Sequence, residues 1–461
     1  MGNGKWENNA SGDSTVYEEN GNEIPKNFLV HFTLCQTSID GRTIEQEDKI
    51  LRKSLVRRLF GTPFFHFFPL SPFPFFGILA GVLLPLNSPS EIKMKMKISC
   101  ERDKFSHAFQ LAATVAAVRD VKPVLQNVLL KAEEGTVILM ATDTEIGIRT
   151  AVDGCEILEP GDAILPTKLV KQILQESNDK TLTISADGDK TLIQGTKSRW
   201  QLPTQPTDEF PEVEPFEETE YHVISSKIFR EMIKRTIFST DEDSSRYSLG
   251  GVHLDFGSDQ IGCVATDGRR LAHQPGVAET VNDHQPEGSS IFPVKALTLI
   301  ERAAADDEPV KIAVSAHRGI FETEKTVLFT RLIEGKFPKW KSIIPNVDGH
   351  KEVEVVAGAL LSGVKQAQIV TLEREPGVDF TFNEGKLELS GSGAEIGESS
   401  VEIPVSYTGD RISVRLDPKF VTEFLRVFEA EKSITTYLKD EEPVYWKTDD
   451  GYEYIVMPIS T

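Results

Sequence analysis

One pattern recurs three times along this chain at intervals of about 125 residues, so the fold must contain three copies of one unit. In the first copy two apolar runs flank a turn at Glu134-Gly135, and Val-Ile-Leu-Met-Ala-Thr-Asp at 137–143 leads into Glu145-Ile146-Gly147. In the second, Ile-Gly-Cys-Val-Ala-Thr-Asp at 261–267 stands 124 residues later. In the third, over 376–405, Glu395-Ile396-Gly397 lies 250 residues beyond its first-copy counterpart, two periods of 125.

The flanks repeat as well. An amphipathic stretch precedes each set of strands, beginning near Glu101, Ser225 and Ala357, and a second follows each set. Pro166, Pro293 and Asp417 suit the starts of those second helices. Phe210-Pro211 and Phe337-Pro338 close the first two copies 127 residues apart. Three copies in residues 96–461 give 122 residues each, long enough for each to hold its own core. The expected class is α+β, with two helices and about eight antiparallel strands per unit. The expected boundaries are 96–216, 217–344 and 345–461.

Residues 1–95 have a different texture. Asn, Gly and Glu dominate the first fifty without a period of 2 or 3.6, which reads as disordered or non-native. Phe60–Leu86 is apolar, yet Pro63, Pro69, Pro72, Pro74 and Pro85 would interrupt a helix repeatedly. A membrane-anchored, extracytoplasmic β-rich protein is therefore the alternative reading, resting on this segment alone. Four cysteines, at 35, 100, 155 and 263, show neither CxxC nor zinc spacing, which points to a reducing, cytoplasmic compartment.

Charge separates the same two parts. Ten basic and ten acidic residues cancel in 1–95, so the rest of the chain carries the whole net charge of −21. That excludes adhesion to nucleic acid over the entire surface, though not through a local basic face. The amphipathic stretches lean basic: Lys168 and Lys171, then Lys227, Arg230, Lys234 and Arg235, then Lys295 and Arg302, then Lys365, Lys419 and Arg426. Helices turned one way would make a basic surface that attracts phosphates without reading bases. No phosphate loop, His-Glu-x-x-His or Cys/His metal spacing is present, and Asp143 and Asp267 fit turn-forming aspartates better than acid/base groups. No catalytic residue, metal or cofactor is expected.

Several segments together resemble the bacterial DNA polymerase III β subunit, the replicative sliding clamp. They are Met96-Lys97-Ile98, Lys122–Leu130 (KPVLQNVLL), Ala265–Ala272 (ATDGRRLA), Glu334–Pro338 (EGKFP) and Tyr454–Ile459 (YIVMPI). The resemblance covers Met96 to Thr461. It implies three tandem clamp domains closing as a head-to-tail homodimeric ring around duplex DNA. It implies a processivity factor, not an enzyme, whose partners are the replicative polymerase, the clamp loader, repair polymerases and other clamp-motif proteins.

By similarity the dimer interface involves Ile369 and Val370 against Trp200 and Leu202. DNA contacts include Arg119, Arg246 and Tyr247 beside the basic helix residues Lys168, Lys171, Lys227, Arg230, Lys234 and Arg235. A partner-peptide pocket between the second and third domains is lined by Leu249, Thr266, Gly268, Arg270, Leu271, Pro338, Ile343, Phe420, Val444, Met457, Pro458 and Ile459. Arg270 is expected at its rim, free to meet a peptide carbonyl or carboxylate. After Met457-Pro458 this chain ends Ile459-Ser460-Thr461, without the Arg-Leu ending of many relatives.

Overall fold

Turn chemistry builds the first hairpin of the first repeat. Glu134 and Gly135 both take positive φ, 51° and 82°, as a tight two-residue hairpin turn requires. The strands Asn127–Glu133 and Thr136–Thr142 pair around them. Next, the Asp143 carboxylate accepts the N–H groups of Glu145 and Ile146 at 3.1 and 2.7 Å. Asp267 does the same for Arg269 and Arg270 at 2.9 and 3.0 Å. These local bonds turn the chain back into the next strand, so both aspartates are turn-formers, as expected.

The computed structural model describes residues 6–8, 14–16, 95–117, 122–188, 190–203, 205–241, 247–315, 317–372, 376–393, 396–440 and 442–459. Met1–Leu86 forms one compact unit and Asn87–Thr461 another. In the first unit the described residues are two short antiparallel strands, Trp6–Asn8 and Ser14–Val16, where the sequence suggested no structure. Phe60–Leu86 lies outside the described residues. Among those described, no helix is long and apolar enough to cross a membrane.

In the second unit each repeat carries two helices: α1 (Arg102–Val115) and α2 (Thr167–Glu176), α3 (Ser226–Thr236) and α4 (Val294–Ala303), α5 (Ala357–Ala367) and α6 (Pro418–Leu425). Among the described residues the repeats hold nine, eight and eight strands. The second helices start where proline and aspartate suggested. Pro166 and Pro293 sit at the N-caps of α2 and α4, and the Asp417 carboxylate caps α6 by accepting the Lys419 N–H at 2.8 Å. Each helix buries one apolar face, as Phe105, Phe109 and Ala112 do on α1 and Phe229, Met232 and Ile233 on α3.

One sheet of sixteen strands runs through all three repeats, joined by two seams. At the first, Ile146–Val152 pairs antiparallel with Thr326–Arg331, setting Ile146 opposite Thr330 and Ile148 opposite Leu328. At the second, Arg270–Val281 pairs with Glu453–Val456, setting Arg270 opposite Val456 and Ala272 opposite Tyr454. The closing bond is the same in both. Arg331 N–H donates to Glu145 O at 2.8 Å, and Met457 N–H donates to Arg269 O at 2.8 Å.

The cores depart from the expected one per repeat. A single cluster runs from Met96 through Leu328, joining repeats one and two, because Ile148 and Leu328 are both fully buried at the first seam. The third repeat keeps a core of its own around Phe380, Phe424 and Trp446.

Two buried histidines tie the second repeat together. His222 Nε2 faces the Gly257 carbonyl at 2.8 Å and therefore carries its proton. Its Nδ1 accepts from His284 Nδ1 at 2.7 Å, and His284 Nε2 accepts the Val314 N–H at 3.1 Å. Burial holds both imidazoles below their usual value of 6.5, and the facing His222 ring depresses His284 further. The folded state thus binds fewer protons than the unfolded state, so this contribution is intact above 6.5 and is lost as pH falls below it. We expect the melting temperature to fall by at least about 2 °C between pH 7.5 and 5.5. NMR should find both rings titrating below the usual imidazole value of 6.5 in the folded protein; titration at or above it would contradict the assignment.

Candidate functional site

The second seam carries most of the candidate pocket. Strand pairing sets Arg270 and Leu271 against Val456 and Ile455, and Val444 against Val456 on the other side. Leu271 and Ile455 belong to a separate apolar cluster with Val264, Ile291, Phe337, Trp340 and Tyr445, which forms a floor beneath the seam. Several other candidates are open to solvent. Met457 is 48% exposed and Ile343 41%, while Pro338, Pro458 and Ile459 are half-buried. Gly268 is exposed at φ 86°, and nothing lies within 4 Å of where a Cβ would sit. A peptide backbone can approach it closely there.

The tail is held by its backbone. Met457 N–H reaches Arg269 O at 2.8 Å, and Ile459 N–H reaches Arg415 O at 2.9 Å. The other candidates form the wall behind. Leu249, Thr266, Phe420 and Val444 are buried, and Thr266 Oγ1 donates to Arg270 O at 2.6 Å.

Arg270 is not at the rim. It is only 6% exposed, and all three guanidinium nitrogens donate: Nε to Asp267 at 2.9 Å, one terminal nitrogen to Glu423 at 2.5 Å, the other to Phe238 O at 2.5 Å. Its guanidinium carbon also lies 4.5 Å from the centre of the Phe420 ring. The Asp267 turn aims this side chain across the seam, where it ties repeat two to Glu423 of repeat three.

The basic helices divide in the same way. Lys168 and Lys171 on α2, and Lys227 and Lys234 on α3, are exposed, and among the described residues none of the four makes an ion pair. Arg230 is half-buried, bound to Asp306 at 2.5 Å and to Ala304 O at 2.6 Å. Arg235 is buried. It donates to Gln274 and Asp450, each at 2.7 Å, pairs with Glu231 at 2.5 Å, and lies over the rings of Phe428 and Tyr452. Arg235, expected among the DNA contacts, is therefore not free to meet DNA: it is a second clamp between repeats two and three. Arg119 and Arg246 lie outside the described residues, and Tyr247 sits in the short 3-10 turn Tyr247–Leu249.

Ile369 is 73% exposed and Val370 half-buried at the end of the helical segment of repeat three, so neither belongs to its core. Trp200 is half-buried and Leu202 buried on the edge strand Arg199–Pro203. Sequence reasoning missed the clamp partners Phe238, Glu423 and Asp450, and the Lys295–Asp143 ion pair at 2.6 Å across the first seam. Only the i,i+4 spacing of Glu231 and Arg235 hinted at any of this. Among the described residues no cluster of acidic, histidine or cysteine side chains could hold a metal.

The chain matches the family described as DNA polymerase III beta subunit in three consecutive parts: N-terminal domain over residues 96–214, central domain over 223–339 and C-terminal domain over 341–460. The beta sliding clamp of Pseudomonas putida is 28% identical over 371 residues, 79% of this chain and 100% of that protein. That of Haemophilus influenzae is 26% identical over 370 residues, with the same coverage of 79% and 100%. Among solved structures, the Pseudomonas aeruginosa sliding clamp bound to griselimycin superposes with a TM-score of 0.73 at 26% identity, covering 79% of this chain and 100% of that one.

The division between clamps and free cations is testable by melting. Arg235→Ala should cost about 2 kcal/mol through lost charge-assisted hydrogen bonds. Lys227→Ala with Lys234→Ala should stay within about 0.5 kcal/mol of the parent, as exposed unpaired side chains do. Equal losses in both variants would return Arg235 to the solvent-facing set.

Proposed function

The chain belongs to the DNA polymerase III β subunit family, and from that membership we propose that it works as a sliding clamp. Two copies close head to tail into a ring around duplex DNA and tether the replicative polymerase, the clamp loader and other DNA-processing proteins. It is a processivity factor and not itself an enzyme. The proposed clamp domains are residues 96–216, 217–344 and 345–461, and the proposed compartment is the cytoplasm. The family match begins at Met96, so the apolar segment that suggested a membrane anchor lies outside it.

The repeated seam carries this reading. By the repeat, Ile396 is the counterpart of Ile146 and Arg270, which are 3% and 6% exposed within their seams, yet Ile396 is 54% exposed. Strand register likewise makes Trp200 and Leu202 the counterparts of Leu328 and Thr330 at the first seam and of Tyr454 and Val456 at the second. Among the described residues one chain therefore leaves one edge of each kind unpaired. A second copy would set Ile396 against Leu202 and Glu398 against Trp200, and a mirror contact would close the ring.

The same equivalence explains Ile369. It occupies the place of Phe238, whose ring lies 5.8 Å from that of Tyr454, so Ile369 would pack on the Trp200 of the other copy. In such a ring the exposed lysines of α2 and α3 would face the DNA, attracting phosphates by charge and reading no bases. The open ledge of Gly268, Pro338, Ile343, Met457, Pro458 and Ile459 would receive partner peptides, with the buried candidates as its wall.

Two outcomes follow. Ile369→Asp puts a charge into the proposed contact and should convert dimers to folded monomers by light scattering; an unchanged dimer would place the interface elsewhere. Gly268→Asp, and separately removal of Met457–Thr461, should weaken binding of a Gln/Leu/Phe-type peptide at least about tenfold, roughly 1.4 kcal/mol, while the dimer persists. Unchanged affinity in both variants would move the peptide site.

A further inference from the structure

Two cysteines that the clamp function leaves unused face each other in the first domain. The strands Lys95–Glu101 and Cys155–Glu159 run antiparallel, with Cys100 directly opposite Cys155. Beside them Glu101 N–H donates to Gly154 O at 2.9 Å, so the cysteines form a non-hydrogen-bonded pair. Pairs of that type hold their Cα atoms about 4.5 Å apart with both side chains on one face. Disulfides span Cα separations of about 4.4–6.8 Å. The register irregularity in this strand pair falls between Lys97 and Ile98, away from the cysteines.

The two thiols differ in access. Cys100 is 1% exposed, with Sγ donating to Leu182 O at 3.4 Å, whereas Cys155 is half-buried. Mutual interaction also divides their acidity. The Cys100 thiol, facing Cys155 and buried, is pushed up, and its interaction with Cys100 lowers Cys155. Cys263 is fully buried, and burial pushes its thiol up as well.

We propose that Cys100 and Cys155 are a redox-modification site, closing to a reversible intrachain disulfide when a small-molecule disulfide such as oxidised glutathione accumulates. The Cys155 thiolate attacks one sulfur of the oxidant, forming a mixed disulfide and releasing one glutathione thiolate. Cys100 gives its proton to that thiolate and attacks Cys155 Sγ, which expels the second glutathione. Two cysteine thiols thereby lose two electrons and two protons, and the oxidant gains both. The strand Cys155–Glu159 is an edge whose sheet neighbour is Lys95–Glu101, so the bond staples the opening strand of the clamp unit to that edge. The sheet's opposite edge is Arg199–Pro203, the strand assigned to the ring contact.

The test is alkylation and peptide mapping of the full chain after incubation with excess oxidised glutathione, without reduction. The expected product links the Cys100 and Cys155 peptides, with a 2 Da loss calculated for two hydrogens, and leaves Cys263 open to alkylation once the chain is denatured. In Cys100→Ser, Cys155 should instead retain a glutathione adduct, because nothing opposite it can resolve the mixed disulfide. A lasting adduct on Cys155 of the parent chain, a link to Cys35, or two thiols still free would each overturn the proposal.

Discussion

An antiparallel sheet edge is a row of amide and carbonyl groups that must find partners or stay in water, and this molecule meets that constraint three times. Two edges find partners within the chain, in seams whose register agrees down to the closing bonds from Arg331 to Glu145 and from Met457 to Arg269. Among the described residues the third pair of edges has no partner within one chain. Head-to-tail closure is what a three-fold internal repeat requires once its joints are made of strand edges.

The proposed third seam is not a copy of the other two. Pro203 stands where Arg331 and Met457 donate their N–H groups, and proline has none to give. Nor does repeat three offer arginine at the position of Arg270, since Ile396 takes it. The contact between copies thus lacks one backbone bond and the ionic clamp that holds domains two and three together. Each such contact has one backbone bond fewer than the seams within the chain.

Basic residues therefore serve two purposes that sequence does not separate. Arg235 and Lys234 are neighbours on one helix, yet Arg235 is buried against Asp450, 215 residues away, while Lys234 stands in water. Arg270 likewise meets Glu423, 153 residues on. No local pattern marks such partners, and a count of positive charges treats clamp and solvent-facing residue alike. The same distance hid the continuous core of domains one and two and the opposed pair Cys100–Cys155. What was legible was local or periodic: the turn at Glu134-Gly135, the aspartates 143 and 267, the helix starts at Pro166, Pro293 and Asp417, and the repeat itself. Ile369 was legible through the family resemblance, and the repeat adds its correspondence to Phe238.

The central claim is that a ring closed by the third seam encloses DNA without gripping it. Ile396→Cys with Leu202→Cys places a cysteine pair at that seam, in the non-hydrogen-bonded geometry that accommodates a disulfide. The decisive measurement is retention of this variant on nicked circular DNA after loading, oxidation and denaturation in detergent. A covalently closed dimer should stay on the circle and be released when the circle is cut. Absence of a cross-linked dimer, or equal loss from intact and cut circles, would contradict the account.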